Sequence, residues 1–222
     1  MGDELPAFRE AYETVVKPGE GPVSRWLNRH ISIRITLFLM RHRINISPTA
    51  MSLMSFSTGL LAALAFVLGS PLAGGLLAQL ASILDGCDGE IARLTGRESS
   101  RGGIIDAVLD RMADAAIVLS MAIFAYRSGW PWAIPLSWAL AVLVVASLAL
   151  TGSLLVSYCS AISRALASRQ PRRALGSRDV RLFLIMLSGI SCQLAPWIAL
   201  PSLAILALLA WLEVLNSLRQ VL

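Results

Sequence analysis

Long apolar runs dominate this chain of 222 residues and constrain its fold more than any other feature. Hydrophobic residues make up 56% of the sequence and charged residues 15%, against about 45–50% and about 25% in soluble domains. The apolar runs cover residues 49–69, 72–84, 104–126, 132–158, 182–196 and 197–218. Because about 20 apolar residues cross a bilayer, the sequence predicts an all-α integral membrane protein with six transmembrane helices. The second run is short and continues into a charged segment.

Arginines flank these runs on alternate sides and predict the orientation. The predicted cytoplasmic segments carry clusters of arginine around residues 25–43, 93–101 and 164–181, whereas the opposite loops hold only Arg127. The positive-inside rule therefore predicts that both termini lie on the cytoplasmic side of the cell membrane. The sequence pI is about 9.7. Because the basic residues border apolar runs, we expect anionic lipid headgroups and phosphate substrates as partners, and no nucleic acid.

Three regions are predicted along the chain. Residues 1–21 are polar and form a tail or a linker, with no cleavable signal peptide. Residues 22–43 mix apolar and basic side chains, with Trp26 near the start, which is typical of an amphipathic helix in the membrane interface. The alternative is an ordinary solvated helix. Residues 44–222 form the six-helix transmembrane domain.

A concentration of acidic residues interrupts the apolar pattern. Seven acidic residues lie within one segment: Asp85, Asp88, Glu90, Glu98, Asp106, Asp110 and Asp114. Asp85 and Asp88 are three residues apart, and the last three aspartates follow one another at i+4 spacing, so each set shares one helical face. Ionisable residues at membrane depth are costly and favour a functional interpretation.

Clustered carboxylates must be neutralised in one of a few ways. They can take up protons, bind cations, or pair with the nearby arginines Arg93, Arg97, Arg101 and Arg111. A set made only of carboxylates suits hard ions such as Mg²⁺ or Mn²⁺ rather than zinc. Two such ions with shared carboxylates recur in phosphoryl chemistry.

The same residues form a recognisable motif. The sequence reads Asp85-x2-Asp88-Gly89-x2-Ala92-Arg93-x8-Gly102-x3-Asp106-x3-Asp110. This pattern resembles the signature of the CDP-alcohol phosphotransferase family at all eight fixed positions. The resemblance covers roughly residues 22–222 and implies six transmembrane helices, an amphipathic helix before the first, and cytoplasmic termini and active site.

The resemblance also implies an activity and a metal site. Members transfer a substituted phosphate from a CDP-linked alcohol to the hydroxyl of an acceptor alcohol and release CMP, in phospholipid or phosphodiester biosynthesis. By match, Asp85, Asp88 and Asp106 hold Mg²⁺ or Mn²⁺, with two ions expected at each site. Asp110 completes the metal site and is the expected catalytic base. The family's structures imply a homodimer.

Further contacts follow from the motif and its surroundings. The resemblance implies nucleotide contacts by Gly89, Ala92, Arg93, Ser99, Gly102, Pro48 and Ser52. Many members begin the first span with Pro-Asn-x-x-Thr, where this chain has Thr49 in place of asparagine. Arg178 and Arg181 are i,i+3 neighbours that can hold an acceptor phosphate, although loop anchoring explains them equally well.

The sequence leaves the two substrates open. The expected donor is of the CDP-diacylglycerol or CDP-inositol type, and the acceptor is an inositol or glycerol phosphate. Ser160 stands where related lipid synthases often have arginine, which argues against a direct transfer of their substrates. Residues 21–32 more narrowly resemble members that make di-myo-inositol phosphate compounds behind a fused nucleotidyltransferase domain.

Two other functions fit parts of the pattern. The acidic stripe suits a cation pathway in a membrane transporter, but the glycine, alanine and arginine positions of the motif have no reason to exist in a carrier. A catalytically inactive, partner-binding homologue is the other alternative, and the presence of every motif aspartate argues against it.

Overall fold

The computed structural model describes residues 8–16, 20–129, 135–167 and 176–219, and within them the regular structure is entirely helical. Two short helices, α1 (Phe8–Val15) and α2 (Arg29–Arg41), precede the longer ones, and a π-helical turn, Ser24–Asn28, leads into α2. The remaining helices are α3 (Pro48–Val67), α4 (Pro71–Leu94), α5 (Ser100–Ser128), α6 (Pro135–Ala167), α7 (Arg178–Ser191) and α8 (Ala199–Arg219). The predicted all-α class is confirmed.

Three segments in the described part of the chain are long and apolar enough to cross a membrane. They are Pro48–Val67, Leu136–Ser163 and Pro196–Arg219. These segments correspond to α3, α6 and α8, and they support an integral membrane protein. The helices α4 and α5 carry the acidic segment, and α7 has only 14 residues. The count of six spans therefore stays a prediction.

The ends of the predicted apolar runs do not all coincide with the ends of the helices. Helix α4 extends ten residues beyond the end of the second apolar run, because the motif continues the helix as far as Leu94. The start of the fourth run at residue 132 lies outside the described residues, as do residues 1–7 and 17–19 of the tail and the loop arginines at 169, 172 and 173.

Capping residues determine where helices α3 and α5 begin. The Ser47 hydroxyl accepts a hydrogen bond from the backbone N–H of Ala50 at 3.2 Å, and Pro48 occupies the first helical position of α3. Ser99 caps α5 in the same way and accepts from the N–H of Gly102 at 3.0 Å. A capping hydroxyl and an N-terminal proline each satisfy or remove a free helix-end donor.

Small residues bring α4 and α7 close together. A Cβ atom on Gly189 would lie 2.3 Å from the carbonyl oxygen of Pro71, and one on Gly75 would lie 3.0 Å from the backbone of Met186. Glycine is therefore required for this approach, as at many helix contacts in membranes. The contact fixes α7 beside α4 and so places Arg178, at the start of α7, near the aspartates.

Helix α2 has an unusual distribution of polarity. Its buried face carries Arg29, Ser32 and Thr36 beside Ile33, whereas Phe38 is 57% exposed. In the preceding turn Trp26 is 80% exposed. The polar side therefore packs against α4, and apolar side chains face outward. This pattern is compatible with the predicted location in the membrane interface, which stays a prediction.

The predicted topology can be tested by cysteine labelling. Ser70, between α3 and α4, and Arg97, between α4 and α5, are both exposed and lie at opposite ends of α4. In a variant with Cys87, Cys159 and Cys192 replaced, we expect S70C to react with an impermeant maleimide only from outside, and R97C only from the cytoplasmic side. Reaction of both positions from the same side would contradict the orientation.

Candidate active site

Three motif aspartates from two helices meet at one point. Asp85 and Asp88 project from α4 and Asp106 from α5, and one carboxylate oxygen of each lies within 4.8 Å of the others. Asp88 is buried, and Asp85 and Asp106 are half-buried. The donor set is all carboxylate, which suits Mg²⁺ or Mn²⁺. We call Asp85, Asp88 and Asp106 the aspartate trio.

Ser52 of α3 contacts the trio directly. Its hydroxyl donates a hydrogen bond to Oδ2 of Asp88, and both residues are buried. The sequence predicted Ser52 and Pro48 as nucleotide contacts. In the structure Ser52 orients a trio carboxylate, and Pro48 begins the helix that carries Ser52.

Arg178 lies among the aspartates of α4 and α5. Its guanidinium reaches Asp85 at 2.9 Å through Nη1, Asp110 at 3.0 Å through Nη2 and Asp114 at 3.0 Å through Nε. Arg181 approaches Asp114 at 3.5 Å. Both arginines were predicted to hold an acceptor phosphate. Each guanidinium nitrogen of Arg178 contacts a carboxylate, and these ion pairs link α7 to α4 and α5. Binding of an acceptor phosphate by Arg178 and Arg181 stays a prediction.

The i+4 stripe of aspartates on α5 divides into parts with different neighbours. Asp106 joins the trio, whereas Asp114 is buried and pairs with Arg111 at 3.3 Å as well as with the two arginines of α7. Asp110 lies between these environments and pairs with Arg178 and, at 3.7 Å, with Arg111. Of the four arginines that the salt-bridge alternative named, only Arg111 pairs with the stripe among the described residues; the other partners are Arg178 and Arg181 of α7, and Arg178 also reaches Asp85 of the trio.

The guanidinium of Arg93 lies over Gly89 on α4, about one helical turn after Asp88 in the chain. A Cβ atom on Gly89 would approach both terminal nitrogens of Arg93 at 3.3 Å, so glycine leaves room for the guanidinium. The Nε and Nη2 atoms of Arg93 are buried and have no hydrogen-bond partner among the described residues. Ala92 is half-buried beside it. Two unused, adjacent donors of this kind match the geometry of a phosphate group.

The remaining predicted nucleotide residues form the start of α5. Ser99 caps the helix, and a Cβ atom on Gly102 would lie 2.9 Å from the Ser99 hydroxyl. Glycine at this position therefore permits the cap. Ser99 is exposed, so its hydroxyl and the helix start remain accessible to a ligand.

Another buried carboxylate, Glu90, has partners that the motif does not indicate. Glu90 is fully buried and accepts hydrogen bonds from Arg29, Ser32 and Thr36 of α2. Glu90 was counted in the acidic segment without a role, because it falls at a variable position of the motif. The spacing of Arg29, Ser32 and Thr36 on one helical face was the signal that could have identified its partners.

The chain belongs to the CDP-alcohol phosphatidyltransferase family, whose family model matches residues 45–217. This match confirms the resemblance drawn from the motif.

Individual relatives support the narrower resemblance. A protein named bifunctional IPC transferase and DIPP synthase from Archaeoglobus fulgidus is 38% identical over 210 residues, covering 89% of this chain and 39% of the relative. Its namesake from Rubrobacter xylanophilus is 40% identical, with coverage of 77% and 37%. The chain thus spans about two fifths of the length of these relatives. Archaetidylinositol phosphate synthase from Aeropyrum pernix is 32% identical, with coverage of 78% and 82%.

Solved structures share the fold. Phosphatidylinositol phosphate synthase from Mycobacterium tuberculosis with CDP-DAG bound has a TM-score of 0.66 at 21% identity, covering 86% of this chain and 92% of that one. The same enzyme in complex with manganese and citrate has a TM-score of 0.67 at 20% identity, covering 85% and 87%. At this identity the likeness concerns the fold alone.

The two ends of the α5 stripe should respond oppositely to loss of charge. In chelator, D106N should stabilise the protein because it relieves repulsion within the trio. D114N should destabilise it, by at most about 3–5 kcal/mol, because Arg111, Arg178 and Arg181 each lose one of the carboxylates that compensate their charge. Ligand binding at about 100 times Kd stabilises by ~2.7 kcal/mol, so added Mn²⁺ should raise the Tm of wild type and D114N but not of D106N. Thermal unfolding in detergent measures both effects, and an equal Mn²⁺ response in both variants would refute the assignment of the trio.

Proposed function

We propose that this chain transfers a substituted phosphate from a CDP-linked alcohol to the hydroxyl of an acceptor alcohol and releases CMP. The observation that carries the proposal is the aspartate trio, together with the unpartnered donors of Arg93 on the helix that supplies Asp85 and Asp88. A cation site and a guanidinium with free donors are the two groups that a nucleoside diphosphate needs. A transporter needs the carboxylates but has no use for a phosphate-binding arginine.

The trio fits a divalent metal by the chemistry of its donors. Asp85, Asp88 and Asp106 would hold Mg²⁺ or Mn²⁺, with Asp110 expected to complete a site for two ions. When bound, the metal neutralises pyrophosphate charge and stabilises the CMP leaving group. The Ser52 hydroxyl fixes one oxygen of Asp88 and leaves its other oxygen for this role.

Asp110 is the proposed base. It lies one helical turn beyond Asp106, and the Arg178 guanidinium orients its carboxylate. In the proposed step the acceptor oxygen attacks the phosphorus attached to the donor alcohol, its proton passes to Asp110, and the bond from that phosphorus to the CMP oxygen breaks. Arg93 binds the pyrophosphate, and Gly89 permits close approach of the nucleotide.

The relatives favour inositol chemistry. Relatives that match most of this chain are named bifunctional IPC transferase and DIPP synthase, and archaetidylinositol phosphate synthase, and residues 21–32 resemble members that make di-myo-inositol phosphate compounds. We therefore propose CDP-inositol as the donor and an inositol phosphate as the acceptor, with CDP-diacylglycerol as the alternative donor. We further propose six spans, an active site and both termini on the cytoplasmic side, and a homodimer, from the arginine pattern and the family resemblance.

A CMP-release assay tests the proposal. Purified protein is supplied with CDP-inositol or CDP-diacylglycerol in combination with inositol 1-phosphate or glycerol 3-phosphate. We expect release of CMP with CDP-inositol plus inositol phosphate, dependent on Mg²⁺ or Mn²⁺ and abolished by chelator. Full turnover in excess EDTA by a metal-free preparation would overturn the assignment, and a preference for CDP-diacylglycerol would overturn the donor.

Two aspartate variants separate metal binding from proton transfer. A positioned base contributes typically 10²–10⁴-fold to the rate, so D110N should lose most of its kcat while its affinity for the CDP donor falls little. D85N should lose both, because its contact with the metal is made in the ground state as well. Donor affinity by calorimetry and single-turnover rates provide the comparison.

The result for Asp110 decides its role. If D110N loses donor binding as severely as D85N, Asp110 is chiefly a metal ligand and another group must accept the proton. R111M is the control for a change of charge beside Asp110. Arg111 contacts Asp110 and Asp114 but has no proposed part in proton transfer.

A further inference from the structure

A charged cluster lies on a different face of α4 from the aspartate trio. It consists of Glu20, Arg29, Ser32, Thr36 and Glu90, and we call it the Glu90 cluster. Arg29 donates through Nη1 to Glu90 at 2.7 Å, and through Nε and Nη2 to Glu20 at 3.0 and 2.8 Å. Ser32 donates to one oxygen of Glu90 at 2.5 Å and Thr36 to the other at 2.7 Å. Every oxygen of Glu90 is therefore bonded to a residue from α2.

The ion pair between Arg29 and Glu90 is buried, which determines its energetic role. Glu90 is fully buried and Arg29 is 9% exposed. Burial acts to lower the pKa of Arg29, but the carboxylates of Glu20 and Glu90 outweigh it and raise the pKa above the usual value, so the guanidinium stays charged. A buried ion pair with complete hydrogen bonding is a weak source of net stability, and its better attested use is to fix a geometry.

The Glu90 cluster forms hydrogen bonds to the turn of α4 that carries Asp88. Besides Glu90, the Nη1 atom of Arg29 donates to the carbonyl oxygen of Gly86 at 3.0 Å. A Cβ atom on Gly86 would lie 3.1 Å from the Ser32 hydroxyl and 3.2 Å from Arg29, so α2 is in close contact here. One guanidinium thus holds both ends of the turn from Gly86 to Glu90, with Asp88 and Gly89 between them.

We propose that Arg29 and Glu90 are positioning residues, through which the segment preceding α3 sets the geometry of the aspartate trio. Among the described residues no hydrogen bond or ion pair joins them to the trio, and they act by fixing the backbone of α4. The inference rests on the proposed metal-dependent function. Supporting groups behind metal ligands orient those ligands, and their loss typically costs 10–100-fold in metal affinity or activity.

The test compares two variants that both disturb the contact between α2 and α4. The pair variant R29M/E90Q removes both charges of the buried ion pair together, so neither Arg29 nor Glu90 is left charged without the other; Glu20 is retained and loses its contact with Arg29. The matched control is N28A, which removes hydrogen bonds to Ser82 at 3.0 Å and Gln79 at 2.7 Å, farther up the same face of α4. Both variants lower the thermal stability, but only the first acts on the turn that carries Asp88.

Metal binding provides a readout that does not depend on turnover. Titration of Mn²⁺ followed by electron paramagnetic resonance should give a Kd about 10-fold weaker in R29M/E90Q and nearly unchanged in N28A. Hydrogen exchange in the metal-free protein should accelerate over residues 86–94 in the pair variant. The single variant E90Q, which keeps the size and two hydrogen-bonding atoms of Glu90, should show a smaller weakening in the same direction.

Each outcome has a distinct meaning. If wild type binds Mn²⁺ and R29M/E90Q binds it equally well, or N28A weakens binding as much, the positioning role is wrong and the proposed function stands. If wild type itself binds no Mn²⁺, the proposed function fails first and the inference fails with it. If the pair variant does not fold, E90Q decides: an unchanged Kd refutes the inference.

Discussion

The guanidinium of Arg178 is the interaction on which the architecture of the site depends. It places one positive charge between carboxylates of two helices, with Asp85 on α4 and Asp110 and Asp114 on α5. Without this cation, the close approach of ionised carboxylates on these helices would be costly in free energy, because like charges in a medium of low dielectric repel strongly. Arg178 occupies this position because glycines at 75 and 189 let α7 pack tightly against α4.

Helix α4 is organised by polarity on more than one face. One face presents Asp85 and Asp88 to α5 and α7, and another presents Glu90 to α2. Each carboxylate of α4 is therefore directed toward a neighbouring helix that supplies hydroxyl groups or arginines. In a membrane protein, hydrogen bonds of this kind between helices replace the hydrophobic driving force that packs soluble proteins. The polar inner side of α2 follows from the same requirement.

The sequence was sufficient for those features that depend on local pattern. The apolar runs predicted the helices, and the spacing of the aspartates predicted which of them share a face. The assembly of Asp85, Asp88 and Asp106 followed from the motif and is present in the structure. The partners of Ser52 and Arg178 could not be predicted, because each contact joins residues at least 36 positions apart in the chain. Contacts of that range depend on how the helices pack, which periodicity does not encode.

The three aspartates of α5 show why spacing alone could not assign roles. Asp106, Asp110 and Asp114 have the same side chain, the same helix and the same i+4 interval, so any argument from pattern treats them alike. Their neighbours differ along the helix axis: Asp106 faces the carboxylates of α4, Asp114 faces arginines of α5 and α7, and Asp110 lies between the two. A carboxylate among carboxylates is suited to bind a cation, and one among arginines is already neutralised. Asp110 has Arg178 on one side and Asp106 one helical turn away, and this intermediate position is why we propose Asp110, rather than Asp106 or Asp114, as the base.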